Sequence, residues 1–138
     1  MGRLEEAIGH YEQALRIKPD FYEAHCNLGT VFLQEGRISD AIEHYQQALR
    51  IRPGSYEAHC NLGTVLLQEG KISDAIEQYE QALRIKPDYA QAQCNLGIAL
   101  GQAGRIPEAK EHLQQALRIQ PDYAQARDTL ARLEASRQ

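Results

Sequence analysis

The sequence predicts an all-α fold, a solenoid in which antiparallel helix pairs stack side by side. Three observations carry that prediction. Pro19, Pro53, Pro87 and Pro121 are evenly spaced, 34 residues apart. The segments Tyr22–Ser55, Tyr56–Tyr89 and Ala90–Tyr123 line up on that period without a gap. Within each, apolar residues recur at helical spacing on both sides of one glycine, Gly36, Gly70 or Gly104. A unit this short cannot bury its apolar face alone, so neighbouring units must share a continuous core. Such a stack offers a long surface rather than a single cleft.

The elements follow in order. Met1–Lys18 reads as the second helix of a truncated unit, with Ala7, Ile8, Tyr11, Ala14 and Leu15 in register. In the first whole unit Ala24, Leu28, Val31 and Phe32 make one apolar helix face. Asp20 is expected to cap that helix, with Glu23 as reciprocal partner, and Asp88 with Gln91 and Asp122 with Gln125 repeat the device. Gly54 takes the cap's place in the middle copy, which predicts a weaker start there. Gly36 ends the helix. A second helix then buries Ile38, Ala41, Ile42, Tyr45, Ala48, Leu49 and Ile51, with Ser39 and Asp40 in its first turn. Pro107 replaces Ser39 and Ser73, and proline is tolerated only in a first turn.

Gly29, Gly63 and Gly97 fall inside first helices, where glycine costs about 1 kcal/mol against alanine. Close approach to Tyr45, Tyr79 and Leu113 of the second helices is the expected compensation. Ala124–Gln138 starts as another first helix and turns polar on its far side, as a solvating cap requires. The chain thus divides into residues 1–21, 22–55, 56–89, 90–123 and 124–138 of one array.

Several functions are disfavoured. The formal net charge is -4, with both signs interspersed and no basic block, which argues against nucleic acid. Apolar runs are too short and too broken for a membrane span. Glu5 and Glu6 lie where a signal peptide would carry its apolar core, so a cytoplasmic place is expected, with the nucleus as alternative. Cys26, Cys60 and Cys94 occupy one position of three units, about 10 Å apart by the stacking, beyond disulfide reach. They read as buried or groove-lining thiols. His25 and His59 read as packing residues, and His10, His44 and His112 as solvated or inter-repeat groups at a place where Gln78 substitutes. Because histidines, cysteines and acids recur with the fold's own period, duplication explains their spacing. No catalytic constellation, cofactor or metal site is expected, and the chain reads as no enzyme.

The string Ala24-His25-Cys26-Asn27-Leu28-Gly29 through Gly36, then Asp40-Ala41-Ile42 through Tyr45, Ala48-Leu49 and Pro53, resembles a tetratricopeptide repeat. The two later copies match at nearly every signature place, and the frame covers the whole chain. The signature aromatic of the first helix is replaced by His25, His59 and Gln93. "Ala-His-x-Asn-Leu-Gly" is similar to the superhelical repeats of O-linked N-acetylglucosamine transferases. The half unit at the front and the near-identity of residues 22–55 and 56–89 fit an excised or engineered array, or recent duplication.

The resemblance implies a right-handed superhelix whose first helices line a concave groove that binds an extended peptide or partner protein. The groove wall would comprise Glu23, Cys26, Asn27, Thr30, Leu33 and Gln34, then Glu57, Cys60, Asn61, Thr64, Leu67 and Gln68. The third unit would add Gln91, Cys94, Asn95, Ile98, Gly101 and Gln102. Asn27, Asn61 and Asn95 form a ladder, and amides that both donate and accept suit a peptide backbone. A structural role for the same asparagines is equally open. The carboxylate clamp of co-chaperone relatives would need cations where Cys26, Gln91 and Asn95 stand, so a terminal carboxylate would be desolvated unpaired. Two alternatives accompany the scaffold: a substrate-recognition part of a larger enzyme such as a protein glycosyltransferase, or a repeat scaffold without natural ligand, either designed or self-associating end to end.

Overall fold

The computed structural model describes residues 2–136. Among them are eight α-helices and no strand: α1 (Gly2–Ile17), α2 (Tyr22–Gln34), α3 (Ile38–Ile51), α4 (Tyr56–Gln68), α5 (Ile72–Ile85), α6 (Ala90–Gln102), α7 (Ile106–Ile119) and α8 (Ala124–Ala135). Met1, Arg137 and Gln138, which the sequence reading includes in its first and last segments, lie outside the described residues. Helices pair as α2 with α3, α4 with α5 and α6 with α7, and each pair packs on the next.

Glycine creates the tight joints within each pair. A Cβ on Gly29 would lie 2.8 Å from the Tyr45 ring, and one on Gly63 2.7 Å from the Tyr79 ring. On Gly97 it would lie 2.6 Å from Leu113 Cγ and 3.1 Å from the Ala109 carbonyl. Tyr45, Tyr79 and Leu113 are essentially sealed from solvent as a result. The third pair also swaps chemistry. Thr30 and Thr64 hydrogen-bond the hydroxyls of Tyr45 and Tyr79 at 2.8 and 3.0 Å, whereas Ile98 and Leu113 stand in those two places in the third unit. The polar pair has been replaced as a pair, which leaves no buried hydroxyl without a partner. Gly36, Gly70 and Gly104 end their helices with φ of 76°, 83° and 82°, a conformation that glycine adopts without penalty. Pro107 lies in the first turn of α7, as expected.

The helix starts correct the sequence reading. The capping positions are Phe21, Ser55, Tyr89 and Tyr123, each one residue after the expected Asp20, Gly54, Asp88 and Asp122. Pro-Asp forms the turn itself, closed by bonds such as Phe21 N–H to the Lys18 carbonyl (3.1 Å). Only Ser55 carries a side chain able to cap, and its Oγ accepts from Ala58 N–H at 3.1 Å. The middle repeat, expected to start weakly, is the one with a side-chain cap.

A second correction concerns the histidines. His44, Gln78 and His112 are half-buried partners within their own repeats rather than solvated or inter-repeat groups. His25 Nε2 donates to the Pro19 carbonyl (2.9 Å), which leaves Nδ1 to accept from His44 Nδ1–H (3.1 Å). His59 likewise donates to the Pro53 carbonyl (2.9 Å) and meets the Gln78 amide (2.8 Å). In the third repeat Gln93 donates to the Pro87 carbonyl (3.1 Å) and accepts from His112 Nδ1–H (2.7 Å). One polar hinge therefore ties each first helix to the preceding turn and to its partner helix. Burial lowers the pKa of both His44 and His112, and the neighbouring His25 ring adds to the effect at His44.

Candidate functional site

The first helices α2, α4, α6 and α8 form one wall, with Tyr22 of α2 hydrogen-bonded to Ser55 at the start of α4, α4 touching α6 and α6 touching α8. Two clefts open on it. One, of about 340 Å³, is bounded by Tyr22, Glu23, Cys26, Asn27 and Thr30 of α2 and by Glu57, Ala58 and Asn61 of α4. The other, of about 310 Å³, is bounded by Ile98, Gly101 and Gln102 of α6 and by Thr129, Arg132 and Leu133 of α8.

The first cleft gathers six of the sequence-derived wall residues, Glu23, Cys26, Asn27, Thr30, Glu57 and Asn61. Their polar groups are committed to very different extents. Thr30 donates to the Cys26 carbonyl (3.2 Å) and accepts from the Tyr45 hydroxyl, so one lone pair is left for a ligand. Thr64 is tied the same way to the Cys60 carbonyl (3.1 Å) and Tyr79. Asn27 and Asn61 have no side-chain hydrogen bond among the described residues, so both amides face solvent unspent. Asn95 differs, because its Nδ2 donates to Cys60 Sγ at 3.7 Å. The ladder thus contains two free amides and one engaged amide.

Charge in this cleft is acidic. Arg52 lies 3.5 Å from Glu23 and stacks over the Tyr22 ring, 4.3 Å from its centroid. Glu57 has no ion pair among the described residues. Burial, the main cause, pushes the Tyr22 phenol up to about 12, and its hydroxyl is hydrogen-bonded to Ser55. Burial also raises the Cys26 thiol, the one cysteine that reaches the cleft. Cys60 and Cys94, expected on the wall, are fully buried behind it, and burial takes the Cys60 thiol up to about 11.

The remaining site residues are dispersed. Ile98 and Gln102 border the second cleft. Gln34 faces a separate depression with Leu4, Glu35 and Arg37. Gln91 accepts from the Tyr89 hydroxyl at 3.1 Å, and Gln68 is exposed outside both clefts. Tyr22 was not foreseen as a wall residue, and neither were the α8 side chains Thr129, Arg132 and Leu133, the latter because the tail reads as a cap. The signal for the α8 residues is Gly101, which stands where Leu33 and Leu67 stand in the other repeats. Among the described residues no group of three or more His, Cys, Asp or Glu is arranged to hold a metal ion, and no helix is long and apolar enough to cross a membrane.

The fold and wall have counterparts elsewhere. A crystal structure of MamA superposes with a TM-score of 0.91 at 24% identity, over 99% of this chain and 80% of that one. The first repeat domain of Spaghetti (RPAP3), bound to the HSP90 peptide SRMEEVD, superposes with a TM-score of 0.81 at 18% identity, over 83% of this chain and 91% of that one. The Arabidopsis OM64 domain does so with a TM-score of 0.81 at 20% identity, over 83% and 95%. No curated protein matches the chain. A profile described as "TPR repeat" matches residues 1–36, 29–68 and 64–104, and one described as "Tetratricopeptide repeat" matches residues 90–123. With the 34-residue period, the paired helices and the glycine joints, these matches make the chain a member of the tetratricopeptide repeat family.

Proposed function

We propose that the chain is a single array, a half repeat, three whole repeats and a terminal helix, that holds an extended peptide of a partner protein along the wall of first helices. One observation carries this reading: the free amides of Asn27 and Asn61 face the same cleft from successive helices. Each offers a donor and an acceptor where an extended backbone needs both. The RPAP3 domain holds its HSP90 peptide on the same fold. The acidic Glu23 and Glu57 disfavour an acidic ligand of that kind here. A cytoplasmic or nuclear setting suits such a scaffold.

The test is a peptide selected on the wild-type protein and measured by fluorescence anisotropy. Asn27→Ala with Asn61→Ala should weaken it by about 0.5–1.5 kcal/mol per lost hydrogen bond, with helicity unchanged. Asn95→Ala should matter less, since Cys60 already engages that amide. Unchanged affinity in the double variant would overturn the proposal.

Two narrower readings have their own support. The Ala24–Gly29 and Ala58–Gly63 strings favour a recognition segment of a glycosyltransferase-like enzyme. End-to-end association is favoured by α1, which has the register of a second helix but no buried residue and leaves Ile17 78% exposed. α8 has the register of a first helix, so the two free faces are complementary. Sedimentation velocity across a concentration series decides that point, and a monomer throughout removes it.

A further inference from the structure

The two clefts of the wall differ in chemistry, and the difference arises from identifiable substitutions. Where Thr30 and Leu33 stand in the first repeat, and Thr64 and Leu67 in the second, the third has Ile98 and Gly101. With no leucine side chain there, Leu133 of α8 reaches Gly101, and a cleft of about 310 Å³ lies beside them between α6 and α8. A Cβ at Gly101 would meet only Leu133, at 3.6 and 3.8 Å, and the Ala109 Cβ at 4.0 Å. The cleft beside it has the volume for a side chain, with Ile98 and Leu133 as apolar walls. Its rim is basic: Arg132 donates one N–H to Thr129 Oγ1 (3.2 Å) and has no ion pair among the described residues. The cleft between α2 and α4 is the opposite, with Glu57 unpaired and Glu23 shared with Arg52.

Resting on the groove reading above, we infer that the wall selects a bipartite peptide, with a lysine or arginine at Glu57 and a leucine-sized side chain in the Gly101 pocket. The two positions lie on opposite parts of one wall. Glu57 is near the start of α4, and Gly101 is near the end of α6. At about 10 Å between neighbouring helix axes and about 1.5 Å of rise per residue, they are about 20 Å apart. That is the reach of about six extended residues. Arg132 sets the polarity, because it repels a cation at the apolar end while Glu57 attracts one at the other. Complementary charge fixes register and excludes wrong partners more than it adds affinity, and the apolar side chain supplies the anchor.

The experiment is selection from a random decapeptide library displayed on phage, run on wild type, Glu57→Lys and Gly101→Leu. Gly101→Leu restores the residue of the other repeats and narrows the cleft. Because its Cβ meets Leu133 at 3.6 Å, circular dichroism and a thermal melt check that the fold is kept, with Ile98→Asp as a second variant that makes the cleft polar. Wild type should enrich a basic residue about six positions from a leucine, methionine or isoleucine. Glu57→Lys should abolish the basic preference and keep the apolar one. Gly101→Leu should do the reverse and weaken a selected peptide at least tenfold. Peptides that depend on Asn27 and Asn61 but lack this spacing would overturn the bipartite motif and leave the groove reading standing. Enrichment of no peptide at all would overturn both.

Discussion

Tyr11 and Tyr79 stand at the same place in the same kind of helix, yet Tyr79 is fully buried and Tyr11 only half-buried. α5 is packed between α4 and α6, and it buries Ala75, Ile76, Tyr79 and Ala82. α1 packs on α2 alone and buries no residue fully. The two helices carry nearly the same apolar pattern, so burial here is a property of neighbours rather than of the unit. In a linear array, stability is a sum of unit and interface contributions, and among the described helices α1 has α2 as its principal neighbour where α5 has two.

The largest effect that tests this contrast is truncation of the two tyrosines. Tyr79→Ala should cost about 3–5 kcal/mol, since it leaves a sealed cavity and orphans the Thr64 hydroxyl contact. Tyr11→Ala should cost under about 1 kcal/mol, a figure typical of sites outside a packed core. Urea denaturation followed by circular dichroism checks both, and equal losses would mean that α1 contributes as much as the middle repeat.

A smaller effect separates the helix starts. Ser55→Ala should cost about 1 kcal/mol by loss of the cap to Ala58, while Gly54→Asp should add little. A gain from Gly54→Asp without loss from Ser55→Ala would return the cap to the Asp position.

The smallest effect concerns pH. The folded pKa of His44 and His112 lies below the unfolded value, about 6.5, so the unfolded chain takes up protons first on acidification. Their contribution is fully present above that value and is lost as pH falls from it toward the folded pKa. The middle repeat has Gln78 in this place and lacks that contribution. Hydrogen exchange at pH 7.5 and pH 5 should therefore show the first and third repeats opening more readily in acid than the second. His44→Gln, which copies the His59–Gln78 pair, should remove the difference in the first repeat.

Most of the fold was legible because the features that build it repeat with the chain's period. The glycine-to-ring joints, the Gly36, Gly70 and Gly104 stops and the Pro107 helix start all follow from local residue type. The cap position was not legible, since Pro-Asp suits a turn as well as a helix start and only the backbone shows which residue enters the helix. The histidine partners lie 19 residues away on another helix, a separation that periodicity does not reveal. The site was half legible. The asparagine ladder could be read, but its division into free and engaged members depends on Cys60, which comes from the preceding repeat. Arg132 and Leu133 were hidden because the tail departs from the repeat pattern where it borders the second cleft.

The principal helix contacts reach no further than the next helix but one. The molecule is therefore mechanically a chain of short links, with no long-range tie to share a load. Tension applied along the array passes through every joint in series and is resisted only by the weakest. The glycine-locked joints within the pairs α2–α3, α4–α5 and α6–α7 are more extensive than the joints between pairs, so the array parts between repeats before it parts within one.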